Sequence, residues 1–125
     1  MDKATPNKTP MASGVKLTKT GEGLLPEGNR YAELVGSLLY LYTVTRPDIA
    51  FAVAVLSRCM SCPEEDHIRA AKGVPRYLRG TNRLGVVYSV REPLQGLVDA
   101  DLAGDIDSRR STTGFVFTYN GGAIA

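Results

Sequence analysis

The stretch "LRGTNRLGVVYSVREPLQGLVDADL", Leu78 to Leu102, decides the fold, because the hydrophobic period changes within it. Upstream of Gly80, apolar residues recur every three or four positions, as on one side of a helix. Downstream come short runs rich in Val, Phe and Tyr, bounded by Gly, Pro or Asn: "LGVVYSV" (84–90), "GLVDADL" (96–102) and "GFVFTYN" (114–120). Such runs read as strands. Three helical patterns followed by three strand patterns, without alternation, predict an α+β chain of two packed units rather than one βαβ sheet. The boundary is expected near Thr81–Pro93.

Working back from that boundary, the first helix is expected over "YAELVGSLLYLY", where Leu34, Leu38 and Leu41 form a stripe beside Val35, Leu39 and Tyr42. In the second, "TRPDIAFAVAVLSRCMS", Thr45 is the expected cap, Pro47 stands in the first turn and Asp48 takes the capping-box position. Its unbroken apolar run from Ile49 to Leu56 predicts burial on most sides. The third, "SCPEEDHIRAAKGVPRYLRG", offers Ser61 as cap with Glu64 three residues on, and Gly80 as stop. Pro75 lies inside it without a backbone donor, which predicts a kink.

At 125 residues and 43% hydrophobic content the chain suits one domain, or one small unit plus part of another, and wholesale disorder is excluded. The net charge of +2 implies no partner by itself, but residues 31–90 carry seven Lys or Arg against five acids, and residues 91–125 carry three against five. No apolar run approaches the roughly 20 residues that span a bilayer, so no membrane partner is expected. The polar N-terminus lacks an apolar signal core, so an intracellular location, cytoplasm or nucleus, is expected over secretion. Residues 1–30, rich in Pro, Gly, Thr and Lys, read as an extended arm or linker anchored at Met11, Val15, Leu17 and Leu24–Leu25.

Three constellations carry chemistry. Arg69, Lys72, Arg76 and Arg79 are spaced three, four and three apart and therefore share one helix face, next to an apolar stripe of Ile68, Ala71, Pro75 and Leu78. A basic stripe of this kind follows a phosphate backbone in a salt-sensitive, sequence-blind way; the plainer alternative is a solvated face. "CMSCPEEDH" holds a C-x-x-C and the chain's single histidine, His67, but a structural zinc needs four ligands and no second pair exists. Finally, Asp99, Asp101, Asp105 and Asp107 crowd nine residues. A calcium loop counted from Asp99 fails, with Ala103 and Arg110 at ligand positions. A strand instead turns Leu97, Asp99 and Asp101 to one face, where carboxylates can hold Mg²⁺ against a phosphodiester; a solvated acidic turn is the alternative. Asp105 and Asp107 read as turn residues in either case.

The ordered series "VGSLLYL…TRPDIAFAV…LSR…YLRGT", then "DADLAGD…RRSTTGFVF…GGAI", with "KTPM" at Lys8–Met11, resembles the Pol polyprotein of Ty1/copia-type LTR retrotransposons over nearly the whole chain. That resemblance implies an N-terminal arm at 1–30 and a thumb-like helical connection at 31–80. It implies the opening of a ribonuclease H-like domain at 81–125, its three-stranded sheet incomplete. It makes Asp99 a vestigial first metal-binding carboxylate, with Asp101 beside it, Mg²⁺ the ion of the parent family, and an RNA–DNA hybrid the partner of Arg69, Lys72, Arg76 and Arg79. The sequence departs from the family where Leu102 replaces a Trp, where an aromatic is missing near His67 or Ile68, and where Pro75 replaces an aliphatic residue. The family's polymerase aspartates and remaining ribonuclease H acids fall outside these 125 residues. Phosphodiester cleavage needs several carboxylates around its ions, so the chain alone is expected to lack catalysis, to bind no Mg²⁺ productively, and to retain at most backbone binding. The alternative is a host-retained protein-interaction module, and an unfinished sheet edge invites self-association.

Overall fold

The computed structural model describes residues 4–12, 15, 17, 28–101 and 111–124. Leu24–Leu25, Leu102, Asp105 and Asp107 lie outside the described residues. The chain divides into two compact units, Met1–Leu84 and Gly85–Ala125. The first holds α1 (Gly28–Val44), a 3-10 turn (Pro47–Ile49), α2 (Ala50–Ser57) and α3 (Glu65–Gly80). The second holds an antiparallel sheet in the order β1 (Gln95–Asp101), β2 (Thr112–Tyr119), β3 (Gly122–Ala123).

The helical core forms where the three apolar stripes meet. Tyr31, Val35 and Leu38 of α1 are buried, with Leu34 and Leu41 only half-buried, so the inward stripe is turned slightly from the one the leucines predict. The Tyr31 hydroxyl explains that rotation, because it reaches across the core to donate to the Leu56 carbonyl at 2.7 Å. In α2, Ile49, Ala52, Val53 and Leu56 are buried, but Phe51 is 74% exposed. The expectation of burial on most sides is thus corrected: only one side of this short helix has a neighbour, since α1 and α3 both pack on the Ile49–Val53–Leu56 side. Each fully buried branched side chain here contributes about 1.5–3 kcal/mol.

The caps also differ from expectation. Thr45 does not cap; its hydroxyl turns back to the Leu41 carbonyl, and Arg46 occupies the cap position without a side-chain capping bond. At α3 the cap is Glu64 rather than Ser61: the Glu64 backbone N–H donates to His67 Nδ1 at 2.8 Å while the Glu64 side chain accepts from the His67 backbone. This reciprocal box draws His67 into the interior, 1% exposed, and sets the buried stripe of α3 at His67, Ala71, Val74 and Tyr77, one position from the predicted Ile68–Ala71–Pro75–Leu78. The helix runs continuously through Pro75 from Glu65 to Gly80.

In the sheet, the register pairs Leu97 with Val116, Val98 with Phe115 and Asp99 with Gly114. The predicted strand at 84–90 does not form. Asn120 and Gly121, at φ 51° and 75°, make a two-residue turn that folds β3 directly onto the far edge of β2. β1 takes one edge of β2 and β3 takes the Thr118–Tyr119 end of the other, and closing a two-residue turn costs less chain entropy than recruiting a distant segment. Residues 88–92 instead wrap the turn: Ser89 N–H donates to the Asn120 carbonyl, Asn120 N–H to the Glu92 carbonyl at 3.3 Å, and the Tyr88 hydroxyl to the Ala123 carbonyl at 2.9 Å.

Candidate nucleic-acid interface

The four predicted basic residues all stand on α3, and the structure treats them differently. Arg69 and Lys72 are exposed; Arg69 forms an ion pair with Asp66 one turn earlier, both side chains more than 70% in solvent, where such a pair contributes little. Arg76 and Arg79 meet the N-terminal arm. Arg76 Nε donates to the Thr5 carbonyl at 2.8 Å, and Arg79 Nη1 donates to the Ala4 carbonyl. Asn7 fastens the arm from the other side: its Nδ2 donates to the Gly73 carbonyl at 3.1 Å and its backbone N–H to the Arg76 carbonyl at 3.4 Å. Of the expected anchors, Met11 and Leu17 pack against the core, whereas Val15 is 40% exposed.

Arm and helix enclose a cleft of about 670 Å³, lined among others by Lys8 and Met11 of the arm and by Asp66, Arg69, Gly73 and Arg76 of α3. Among the described residues its wall carries the cations Lys8, Arg69 and Arg76 and the carboxylate of Asp66. Such a surface attracts anions, and a flexible polyanion can follow it without base-specific contacts.

The acidic residues do not assemble in the same way. Asp99 sits exposed in β1 opposite Gly114, and its Oδ1 accepts the Ala100 backbone N–H at 2.9 Å. Asp101 closes β1 opposite Thr112, on the same register face as Asp99. Among the described residues no group of three or more His, Cys, Asp or Glu comes together, so the described donors do not amount to a Mg²⁺ cage. Cys59 is buried and Cys62 half-buried, neither in a disulfide, and His67 Nδ1 is already committed to the α3 cap. Among the described residues no helix is long and apolar enough to cross a membrane.

One polar cluster has no counterpart among the sequence candidates. Arg46, 8% exposed, forks onto Asp48 with Nε to Oδ1 at 2.8 Å and Nη2 to Oδ2 at 2.7 Å. It also donates to the Thr81 carbonyl and hydroxyl at 3.1 and 2.7 Å, and lies 5.6 Å from the Tyr77 ring centre. The Tyr77 hydroxyl donates to Asp48 Oδ2 at 2.8 Å. The Arg46 guanidinium holds the Asp48 carboxyl below the usual carboxylate value, partly opposed by burial and aided by Tyr77. The bond to Asp48, reinforced by burial, raises the Tyr77 hydroxyl. This cluster ties the α1–α2 junction to the end of α3 and so fixes where the basic face points. Its signal in the sequence is the "TRPD" run, an Arg and an Asp two apart across a proline.

A three-helix unit presenting one cationic helix face, followed by a small antiparallel sheet with a carboxylate on its edge strand, defines an α+β chain. The chain is homologous to a stretch of copia-type retrotransposon Pol polyproteins. It is 45% identical over 132 aligned positions to the Retrovirus-related Pol polyprotein from transposon TNT 1-94 of Nicotiana tabacum, covering 100% of this chain and 10% of that protein. To the Retrovirus-related Pol polyprotein from transposon RE2 of Arabidopsis thaliana it is 44% identical, covering 90% of this chain and 8% of that protein. It is also 46% identical to Secreted RxLR effector protein 161 of Plasmopara viticola, covering 76% of this chain and 68% of that protein. The chain thus spans about a tenth of the length of the polyproteins it matches. No family model matches it, and no solved structure does.

Proposed function

We propose that this retrotransposon-derived chain corresponds to the connection between the polymerase and ribonuclease H parts of a Pol polyprotein. On this reading its α3 face holds the sugar–phosphate backbone of an RNA–DNA hybrid without cutting it. The observation that carries the reading is the row Arg69, Lys72, Arg76, Arg79 on one face of α3, bordering a cleft whose wall adds Lys8. Asp99 is by family resemblance the relic of a Mg²⁺-binding carboxylate, with Asp101 two residues on. Metal-assisted hydrolysis needs a fuller set of ligands than these two provide, so the role of the chain alone is binding.

Filter binding of the purified chain to an RNA–DNA duplex at rising salt tests this. Retention should fall steeply with salt, and Arg69→Glu with Lys72→Glu should lower affinity about tenfold or more, since each lost phosphate contact removes roughly 0.9 from the log–log salt slope. Binding indifferent to both reversals would refute the proposal. In the same buffer with Mg²⁺, neither the chain nor Asp99→Asn should release hybrid-specific RNA fragments.

A second reading, a protein-interaction module, is favoured by one observation: the chain matches 68% of a protein named as a secreted effector, so the same segment makes up most of that protein. A partner protein that binds the chain with unchanged strength as salt rises, while the hybrid is not retained, would favour it.

A further inference from the structure

Two glycines seven residues apart put Gly73 and Gly80 on one side of α3, with Arg76 between them. Glycine inside a helix costs about 1 kcal/mol, so Gly73 calls for a cause beyond the helix itself. The arm supplies it. A Cβ built on Gly80 would lie 2.9 Å from Pro6 Cβ, and one on Gly73 would lie 3.3 Å from Asn7 Nδ2. At Gly80 the Pro6 ring therefore lies closer than a Cβ there would allow, and at Gly73 the Asn7 amide would have to give by a few tenths of an ångström.

That close approach places two arm carbonyls, Thr5 and Ala4, on the guanidinium groups of Arg76 and Arg79, while Lys72 and Arg69 stay open to solvent. A phosphate arriving at the distal half of the row meets donors already held by carbonyl oxygens. We infer that residues 4–10 are an intramolecular strap that competes with nucleic-acid phosphates for Arg76 and Arg79, so that the docked arm halves the basic face and its release completes it. The inference rests on the nucleic-acid reading above and names how that face is regulated.

The glycines allow a test that leaves every charge in place. In the full chain, Gly73→Ala with Gly80→Ala should dislodge the arm while raising the helix propensity of α3, so the fold is kept. Trypsin then cuts faster after Lys8, because cleavage requires the strap to be open. An RNA–DNA duplex should bind about threefold to tenfold tighter, with a salt slope steeper by roughly one to two phosphate contacts. Arg76→Gln with Arg79→Gln should remove the whole gain in the alanine variant. Unchanged cleavage at Lys8 overturns the strap, since the arm would then not be held by that face. Faster cleavage with equal or weaker hybrid binding overturns the competition. If neither protein retains the duplex even at low salt, the nucleic-acid reading itself fails, which the cleavage rates keep separate from the behaviour of the arm.

Discussion

Arg46 is buried and charged, a combination that is stable only when every donor finds a partner. Here it does: the Asp48 carboxylate takes the fork, Thr81 takes two further bonds, and the Tyr77 ring lies beneath. Arg46→Ala strands Asp48 and the Thr81 carbonyl, and should lower stability by about 2–4 kcal/mol in urea unfolding. Arg46→Lys should recover little, since an ammonium cannot fork onto a carboxylate. The same cluster sets a pH window. The Asp48 pKa is depressed in the folded chain, so its contribution is complete above the unfolded value of about 4 and is lost as pH falls through the lower folded value. Tyr31, raised chiefly by burial, and Tyr77, raised chiefly by its bond to Asp48, act oppositely. Their contributions are complete below pH of about 10 and are lost as pH rises beyond it. Urea midpoints followed against pH should therefore form a plateau between these limits, and Asp48→Asn should flatten the acid limb and reduce the alkaline limb to the part that Tyr31 carries.

Among the elements, α3 carries the most contradictory sequence. Pro75 removes the N–H that would reach the Ala71 carbonyl and crowds the preceding turn, yet the helix continues to Gly80, held by His67, Ala71, Val74 and Tyr77 in the core and by the Glu64–His67 box at its start. Pro75→Ala should therefore stabilise the chain by about 1–3 kcal/mol, read as a higher urea midpoint with an unchanged slope. A loss of stability would mean that the ring's packing outweighs the restored bond. The three helices were legible in the sequence because a period of 3.6 survives even a proline, and the spacing of Arg69, Lys72, Arg76 and Arg79 showed their common face directly. The caps were not, because Ser61 and Glu64 match the usual capping-box pattern while Glu64 and His67 do not, and only the path of the chain selects the latter. The strand expected at 84–90 met the composition rule for strands, but composition does not say which edge is open. The Asn120–Gly121 pair did say it, being the strongest short-range hairpin signal. Nor could any periodicity reveal the strap: Thr5 and Arg76 are 71 residues apart, and a contact at that separation leaves no local trace.

Across the whole molecule the two units differ in what they bury. The helical unit encloses ten core side chains, from Tyr31 to Tyr77. In the sheet unit Leu97, Val98, Phe115, Val116, Phe117 and Tyr119 all stand more than 40% exposed, on both faces of the sheet, and the tilted Phe115–Phe117 contact at 5.9 Å is its main apolar pairing. Three strands without a covered face gain little to offset the entropy of ordering them. The chain should accordingly exchange its backbone amides at two distinct levels in dilute solution. Amides of α2 and of the inward side of α3 should be protected close to the full unfolding free energy, whereas those of β1 and β2 should exchange orders of magnitude faster. Hydrogen-exchange mass spectrometry on peptides from 50–57, 65–80, 95–101 and 112–119 reads this directly. Strand protection equal to that of α2 at every concentration would contradict the inventory of buried side chains. Strand protection that grows with concentration would instead show a second copy covering the sheet, the self-association that its uncovered edge strand β1 invites.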